Sequence, residues 1–214
     1  MAKILRLGAV LFIITAVTGL ILGGVYTMTL EPIRSAKEKE KMAALAETLP
    51  EASDFEGMDS PLDHSIIKEV NKGSANGETV GYNITVTPKG YSGLIEMVVG
   101  ISKEGKLANI KILSHTETPG LGAKAAEPAF SGQFRDKKTD ELTVTKTSPG
   151  KDSEIQAISG ATITSRAVTS GVNTALKYWK ANYKDGGAAA QTDPATAEPE
   201  AVSSASKKTT GGGN

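Results

Sequence analysis

The chain contains no cysteine and only two histidines, His64 and His115. That excludes disulfides, thiolate metal sites and cysteine-ligated iron–sulfur clusters, and it argues against a transition-metal site built from protein ligands alone. Net charge is also missing. Twenty-four basic and 24 acidic side chains cancel, so no electrostatic footprint for nucleic acid is present. Any redox chemistry must therefore come from an organic group or from a partner.

What the sequence does have is one long apolar run. Residues 7–30 carry no charged side chain. At about 1.5 Å per residue they give roughly 36 Å of helix, enough to cross a hydrocarbon core of about 30 Å with some tilt. A secretory signal begins in the same way, but its apolar region is about 7–15 residues and ends in a small-residue cleavage site. Here the run ends in Thr27-Met28-Thr29-Leu30-Glu31-Pro32, which reads as an uncleaved anchor in the lipid bilayer. Gly8, Gly19, Gly23 and Gly24 would let neighbouring membrane helices approach closely. Lys3 and Arg6 precede the run, which favours a cytoplasmic N-terminus for residues 1–6 and an extracytoplasmic position for the domain beyond the span.

Residues 31–50 read as a helical stalk, with Pro32 near its start and Pro50 at its end. Its apolar stripe is thin: Ile33, Met42, Leu45 and Leu49. Residues 51–65 look acidic and irregular. From Ile66 strand patterns take over, with a loop expected over residues 72–77. Val80, Tyr82, Ile84 and Val86 then alternate with polar or small neighbours, a more continuously apolar stretch runs over 94–102, and Ile110 and Ile112 alternate over 107–113. These are the marks of a β-meander. A short helical stretch near 123–130 and strand-like segments at 142–147 and 155–158 come next. A last helix is expected over 164–184, its apolar face made by Val168, Val172, Ala175, Leu176 and Trp179. The fold class is therefore α+β, an antiparallel sheet with packed helices after a single N-terminal transmembrane helix, and the folded domain is expected over 51–184. Residues 185–214, rich in Gly, Ala, Ser, Thr and Pro, have too little apolar surface to offset the entropy of ordering and are expected to be disordered.

Two motifs stand out. In Ser159-Gly160-Ala161-Thr162-Ile163-Thr164-Ser165, small residues allow close backbone approach to a ligand. The helix start behind them offers unpaired N–H groups to an anion. Thr162 would stand just before that helix, its hydroxyl placed to meet a phosphate. Ordinary capping by Thr164 or Ser165 accounts for the same pattern. In Glu117-Thr118-Pro119-Gly120-Leu121-Gly122, two glycines and a proline shape a backbone able to embrace a flat ring; a plain surface turn would look alike. His115 beside this loop is assigned no catalytic role.

Taken with the N-terminal anchor and Gly90-Tyr91-Ser92-Gly93, these motifs resemble the FMN-binding domain of the G subunit of Rnf-type ferredoxin:NAD oxidoreductases and of the C subunit of sodium-pumping NADH:quinone oxidoreductases. The resemblance extends over about residues 1–184, and the length of the domain favours the G subunit. It implies that a flavin transferase esterifies the phosphate of FMN to Thr162. Ser159, Gly160, Ala161, Thr164, Glu117, Thr118, Gly120, Leu121 and Gly122 would line the cofactor site. Other membrane subunits would supply the electron donor and acceptor, and the complex would couple that transfer to ion movement. One departure is Gln156, where the family often carries an acidic residue. A scaffold of the same fold without flavin is the alternative from another class.

Overall fold

A computed structural model of the chain describes residues 2–58 and 66–184; the predicted tail at 185–214 and most of the stretch leading to Ile66 lie outside them. A single helix, α1 (Ala2–Thr48), runs unbroken through Pro32. It joins the predicted span and stalk into one rod. It is the one helix among the described residues long and apolar enough to cross a membrane, with a mean hydropathy of 2.3 in its most apolar window.

Five strands follow in a meander: β1 (Asp54–Met58), β2 (Ile67–Ala75), β3 (Glu78–Val86), β4 (Glu96–Ser102) and β5 (Leu107–Ser114), each antiparallel to the next. Two expectations need correcting. Residues 54–58, read as irregular, form the edge strand β1 against β2. Residues 72–75, read as a loop, continue β2, and the turn is only Asn76-Gly77, both with positive φ (53° and 82°). That is the Asn-Gly pair favoured in two-residue hairpins. Gly73 is in the strand for another reason. A Cβ there would come 2.5 Å from Leu49 Cδ2 and 2.9 Å from Ala52 Cβ.

Beyond β5 come a 3-10 turn (Gly122–Ala126), the short α2 (Pro128–Ser131), and a second 3-10 turn that buries Phe134. β6 (Thr143–Thr145) and β7 (Glu154–Gln156) pair in parallel as a separate two-stranded sheet. α3 (Thr162–Asn182) closes the fold. Its predicted face is buried throughout and packs with Ile84, Met97, Val99, Ile101 and Ile110 on one side of the five-stranded sheet.

The opposite sheet face is mostly polar and rich in glycine, with Val98 and Leu113 as apolar contacts for Ala44 and Leu45, and the last turns of α1 lie on it. Asn83 Nδ2 donates to Leu45 O (3.0 Å), Thr48 Oγ1 donates to Asn83 Oδ1 (2.9 Å), and Asn109 Nδ2 donates to Glu47 O (3.3 Å). Asn109 thus satisfies the Glu47 carbonyl, one of those a helix C-terminus leaves unpaired, while the Leu45 carbonyl, already bonded by the Leu49 N–H (3.0 Å), takes Asn83 as a second donor. Ion pairs Lys41–Glu69 (2.6 Å) and Lys111–Glu47 (2.8 Å) flank the contact. The end of the expected stalk is thus part of the fold. With helices on both faces, β4 and the second half of β3 are buried on both sides, which explains their nearly continuous burial.

At Gly100 a Cβ would overlap the Thr48 carbonyl. Gly100→Ala is expected to destabilise the protein by about 1–3 kcal/mol through overpacking. Gly132→Ala, at a site open to solvent with helical φ, should be near neutral. Denaturant unfolding of the detergent-solubilised chain measures both.

Candidate functional site

The connection between β3 and β4 prolongs their ladder. Ile95 N–H donates to Pro88 O (3.0 Å), Lys89 pairs with Leu94, and Gly90 N–H donates to Gly93 O (2.7 Å), which leaves Tyr91 and Ser92 at a hairpin tip. After β5, Thr118-Pro119-Gly120-Leu121 closes a turn through Leu121 N–H to Thr118 O (3.2 Å), with Gly120 at φ 77°. Proline second and a left-handed glycine third is the signature of a type II turn. A similar turn, closed by Ala161 N–H to Ile158 O (3.0 Å) with Gly160 at φ 76°, leads into α3. Leu121 packs against Gly160, joining the two turns.

Glu117 ties these pieces together. Its side chain is buried, with 5% of its surface exposed. Oε1 accepts the Ser92 N–H at 2.9 Å, and Oε2 accepts the Thr164 hydroxyl at 2.5 Å. Gly90 and Gly122 flank the carboxylate so closely that a Cβ on either would stand 2.5 Å from one of its oxygens. Burial pushes this carboxyl up. Hydrogen bonds from Thr164 and from the Ser92, Tyr91 and Gly93 amides outweigh it and hold the group below the usual carboxylate range.

The result is a cleft of about 490 Å³. Of the ten residues expected to hold the cofactor, all line it except Ser159 and Gly120; Pro119 and Ser165 of the same two motifs are also outside its lining. Thr162 is the first residue of α3, inside the helix and not before it; Ala161 is the N-cap and provides no side-chain bond. Neither Thr164 nor Ser165 caps. Thr164 is held by Glu117, while Ser165 Oγ donates to Ala161 O and accepts the Ile158 N–H, both at 3.0 Å. The half-buried Thr162 hydroxyl bonds no other group among the described residues and faces the cleft. His115 is used structurally: its Nδ1 accepts the Glu117 N–H at 3.3 Å.

Two lining residues, Tyr91 and Ile163, 68% and 56% exposed, belong to the sequence motifs but were not assigned to the site. A large aromatic between two glycines was one available signal. An isoleucine out of register with the buried stripe of α3 was the other. Together with Leu121 they give the cleft apolar walls, while the lining contains no basic side chain. An anion there must rely on the N–H groups of the α3 start.

Residues 90–177, from the hairpin into α3, match the FMN-binding domain family. Over 194 residues the chain is 38% identical to the G subunit of the Na(+)-translocating ferredoxin:NAD(+) oxidoreductase complex of Acetobacterium woodii, covering 83% of this chain and 92% of that protein. The chain belongs to this G-subunit family. The proton-translocating counterpart from Clostridium ljungdahlii is likewise 38% identical, over 75% of this chain and 83% of that one. The crystal structure of the C subunit of the Na(+)-translocating NADH-quinone reductase of Parabacteroides distasonis has the same fold. It superposes with a TM-score of 0.54 at 16% identity over 70% of this chain and 94% of that one. The family match begins at Gly90 and takes in the hairpin, both glycine turns and the start of α3. The family's domain therefore contains every element that forms the cleft.

A carboxyl whose native pKa is depressed stabilises the fold above its unfolded value, about 4.3, and the contribution disappears as pH falls through the native value. Glu117→Gln should lower stability by about 1–3 kcal/mol at neutral pH. The gap from the parent should narrow below about pH 4. Unfolding curves at neutral and acid pH test this; a pH-independent gap would mean that the ionised form is not what stabilises.

Proposed function

We propose that this chain is the covalently flavinylated electron-carrier subunit of a membrane ion-translocating ferredoxin:NAD oxidoreductase, with FMN joined through its phosphate to Thr162. The observation that carries the site is the state of three neighbouring hydroxyls. Thr164 and Ser165 are committed to internal hydrogen bonds, and Thr162, on the cleft wall at a helix start, is not. A phosphoester at Thr162 Oγ1 would lie against the uncapped N–H groups of α3, which favour negative charge. Tyr91, Leu121 and Ile163 offer apolar surface to a planar ring, and Gly160 and Gly122 keep the backbone close to it. The residues present thus fit FMN.

FMN itself supplies the electron chemistry; the protein's part is attachment, orientation and electrostatic tuning. A covalent link makes occupancy independent of free FMN, because rebinding is intramolecular. No complete active site is proposed for this chain alone: electrons would enter and leave through other membrane subunits, and a flavin transferase would act once during maturation. α1 would hold the chain in the membrane as a single pass, with residues 1–6 cytoplasmic and the cleft-bearing domain outside. The Acetobacterium and Clostridium relatives favour the G subunit over the quinone-reductase C subunit, since both are G subunits at 38% identity.

Expressed with a flavin transferase, the protein should give a fluorescent band that survives denaturation and a mass increase of one FMN less one water. Mass spectrometry of the peptide containing Thr162 should place the adduct there. Thr162→Ala should remove both signals. A colourless parent would leave the flavin-free scaffold as the reading, and fluorescence persisting in the variant would move the attachment elsewhere.

A further inference from the structure

The large hydrophobic side chains exposed outside α1 are, among the described residues, Tyr91, Leu94, Leu121 and Ile163. All four belong to the same end of the domain, the β3–β4 hairpin tip and the two turns at the cleft. A ring bound in the cleft would cover part of Tyr91, Leu121 and Ile163. Leu94 does not line the cleft and stays 60% exposed.

The seating of α1 fixes where that end points. Lys41 meets Glu69, Ala44 and Leu45 pack on Val98, Thr48 meets Asn83 and Gly100, and Leu49 covers Gly73. From Lys41 to Leu49 the helix rises about 12 Å, and from Glu69 to Gly73 the strand rises about 13 Å. Helix and strands therefore run side by side. Lower numbers on α1 lie towards its apolar segment, so the end of the sheet where β3 leaves and β4 begins faces the membrane. Leu45 stands about 22 Å along the helix from Leu30. Leu94 lies about 13 Å back from Val98 along the strand direction, and so about 9 Å from the level at which the apolar run ends. Tyr91 and Ser92 project further, because the hairpin continues the ladder past Lys89 and Leu94.

We propose that the hairpin of residues 90–94 is a second membrane contact, its Tyr91 and Leu94 side chains seated in the headgroup layer of the bilayer that α1 crosses. The polar layer of a bilayer occupies roughly 5–8 Å on each side of the core; Tyr91 and Ser92, beyond Leu94 in the ladder, reach into it, and the Leu94 backbone, at about 9 Å, stands at its outer edge. An exposed tyrosine and leucine flanked by the exposed Lys89 is the composition of an interfacial anchor. The contact rests on α1 being the membrane span, not on flavin attachment.

The absence of cysteine permits a direct test. The full chain carrying Leu94→Cys, labelled with a nitroxide, is reconstituted into phosphatidylcholine–phosphatidylglycerol vesicles. A second sample carries the label at Lys103→Cys, in the exposed turn at the far end of the sheet. The label at position 94 should be relaxed several-fold more by oxygen than by a water-soluble nickel chelate, and the label at 103 should show the reverse. A Thr162→Ala background should give the same ratios, which separates this result from the fate of the flavin. Water-like accessibility at 94 in co-floating protein overturns the lipid contact. Protection that appears only when other membrane subunits are co-reconstituted also overturns it, and assigns the patch to a protein partner. Failure to co-float with vesicles overturns anchor and contact together.

Discussion

The geometry of the cleft depends on one buried carboxylate. Glu117 holds three stretches that share no strand or helix: the hairpin tip through the Ser92 amide, its own loop, and the start of α3 through the Thr164 hydroxyl. A buried charge is tolerated only when its oxygens are satisfied, and here every donor is neutral. The charge is thus spread over hydrogen bonds and not cancelled by a cation. Gly90 and Gly122 follow from the same constraint, since a methyl at either position would displace the carboxylate. The two residues flanking Ile163 then behave differently. Thr164 is locked inward, which leaves Thr162 as the hydroxyl of the first turn directed to the cleft.

A second constraint acts at the opposite face of the sheet. An apolar helix packed on an apolar sheet could slide or rotate with little penalty. α1 meets side-chain amides from β3 and β5 that bond particular carbonyls, and glycines that admit the helix at one depth. Register along the helix is therefore specified by directional bonds, with ion pairs at its edges adding little because they remain open to solvent on one side. The rod that enters the membrane and the sheet that carries the cleft form a single packed unit.

Much of this was legible in the sequence. The apolar run, the alternation in β3 and β5, the continuous apolar stretch of β4 and the 3.6-residue stripe of α3 are local patterns, and each gave its element. What failed were glycines. Gly73 and Ser74 resemble a turn when only neighbours along the chain are considered, but Gly73 answers to Leu49, which arrives from α1. Gly77 and Gly160 do have positive φ and do mark turns. The letters are the same, and only a tertiary contact distinguishes a glycine chosen for its dihedral from one chosen for its missing side chain. β1 was missed because an exposed edge strand has no buried face to generate alternation. At the site, the two motifs mark the backbone segments that line the cleft. They did not reveal that Glu117 points inward to organise the walls, because its partners lie 25 and 47 residues away.

The two constraints have a joint consequence. Glu117 fixes the cleft relative to the hairpin and to α3, and the amides of β3 and β5 fix the sheet relative to α1. Orientation is then inherited without a hinge from the membrane helix to the Thr162 hydroxyl. A carrier built on a flexible tether would depend on linker length for its encounters with partners. Here the described residues from Ala2 to Thr48 form one uninterrupted helix, so the height of the cleft above the membrane is a structural property of the chain. Changing the number of residues between Leu30 and Lys41 would raise or lower that cleft by about 1.5 Å each and rotate it by about 100°. A partner surface that met the cleft would therefore constrain the length of α1 as well as the residues of the cleft itself.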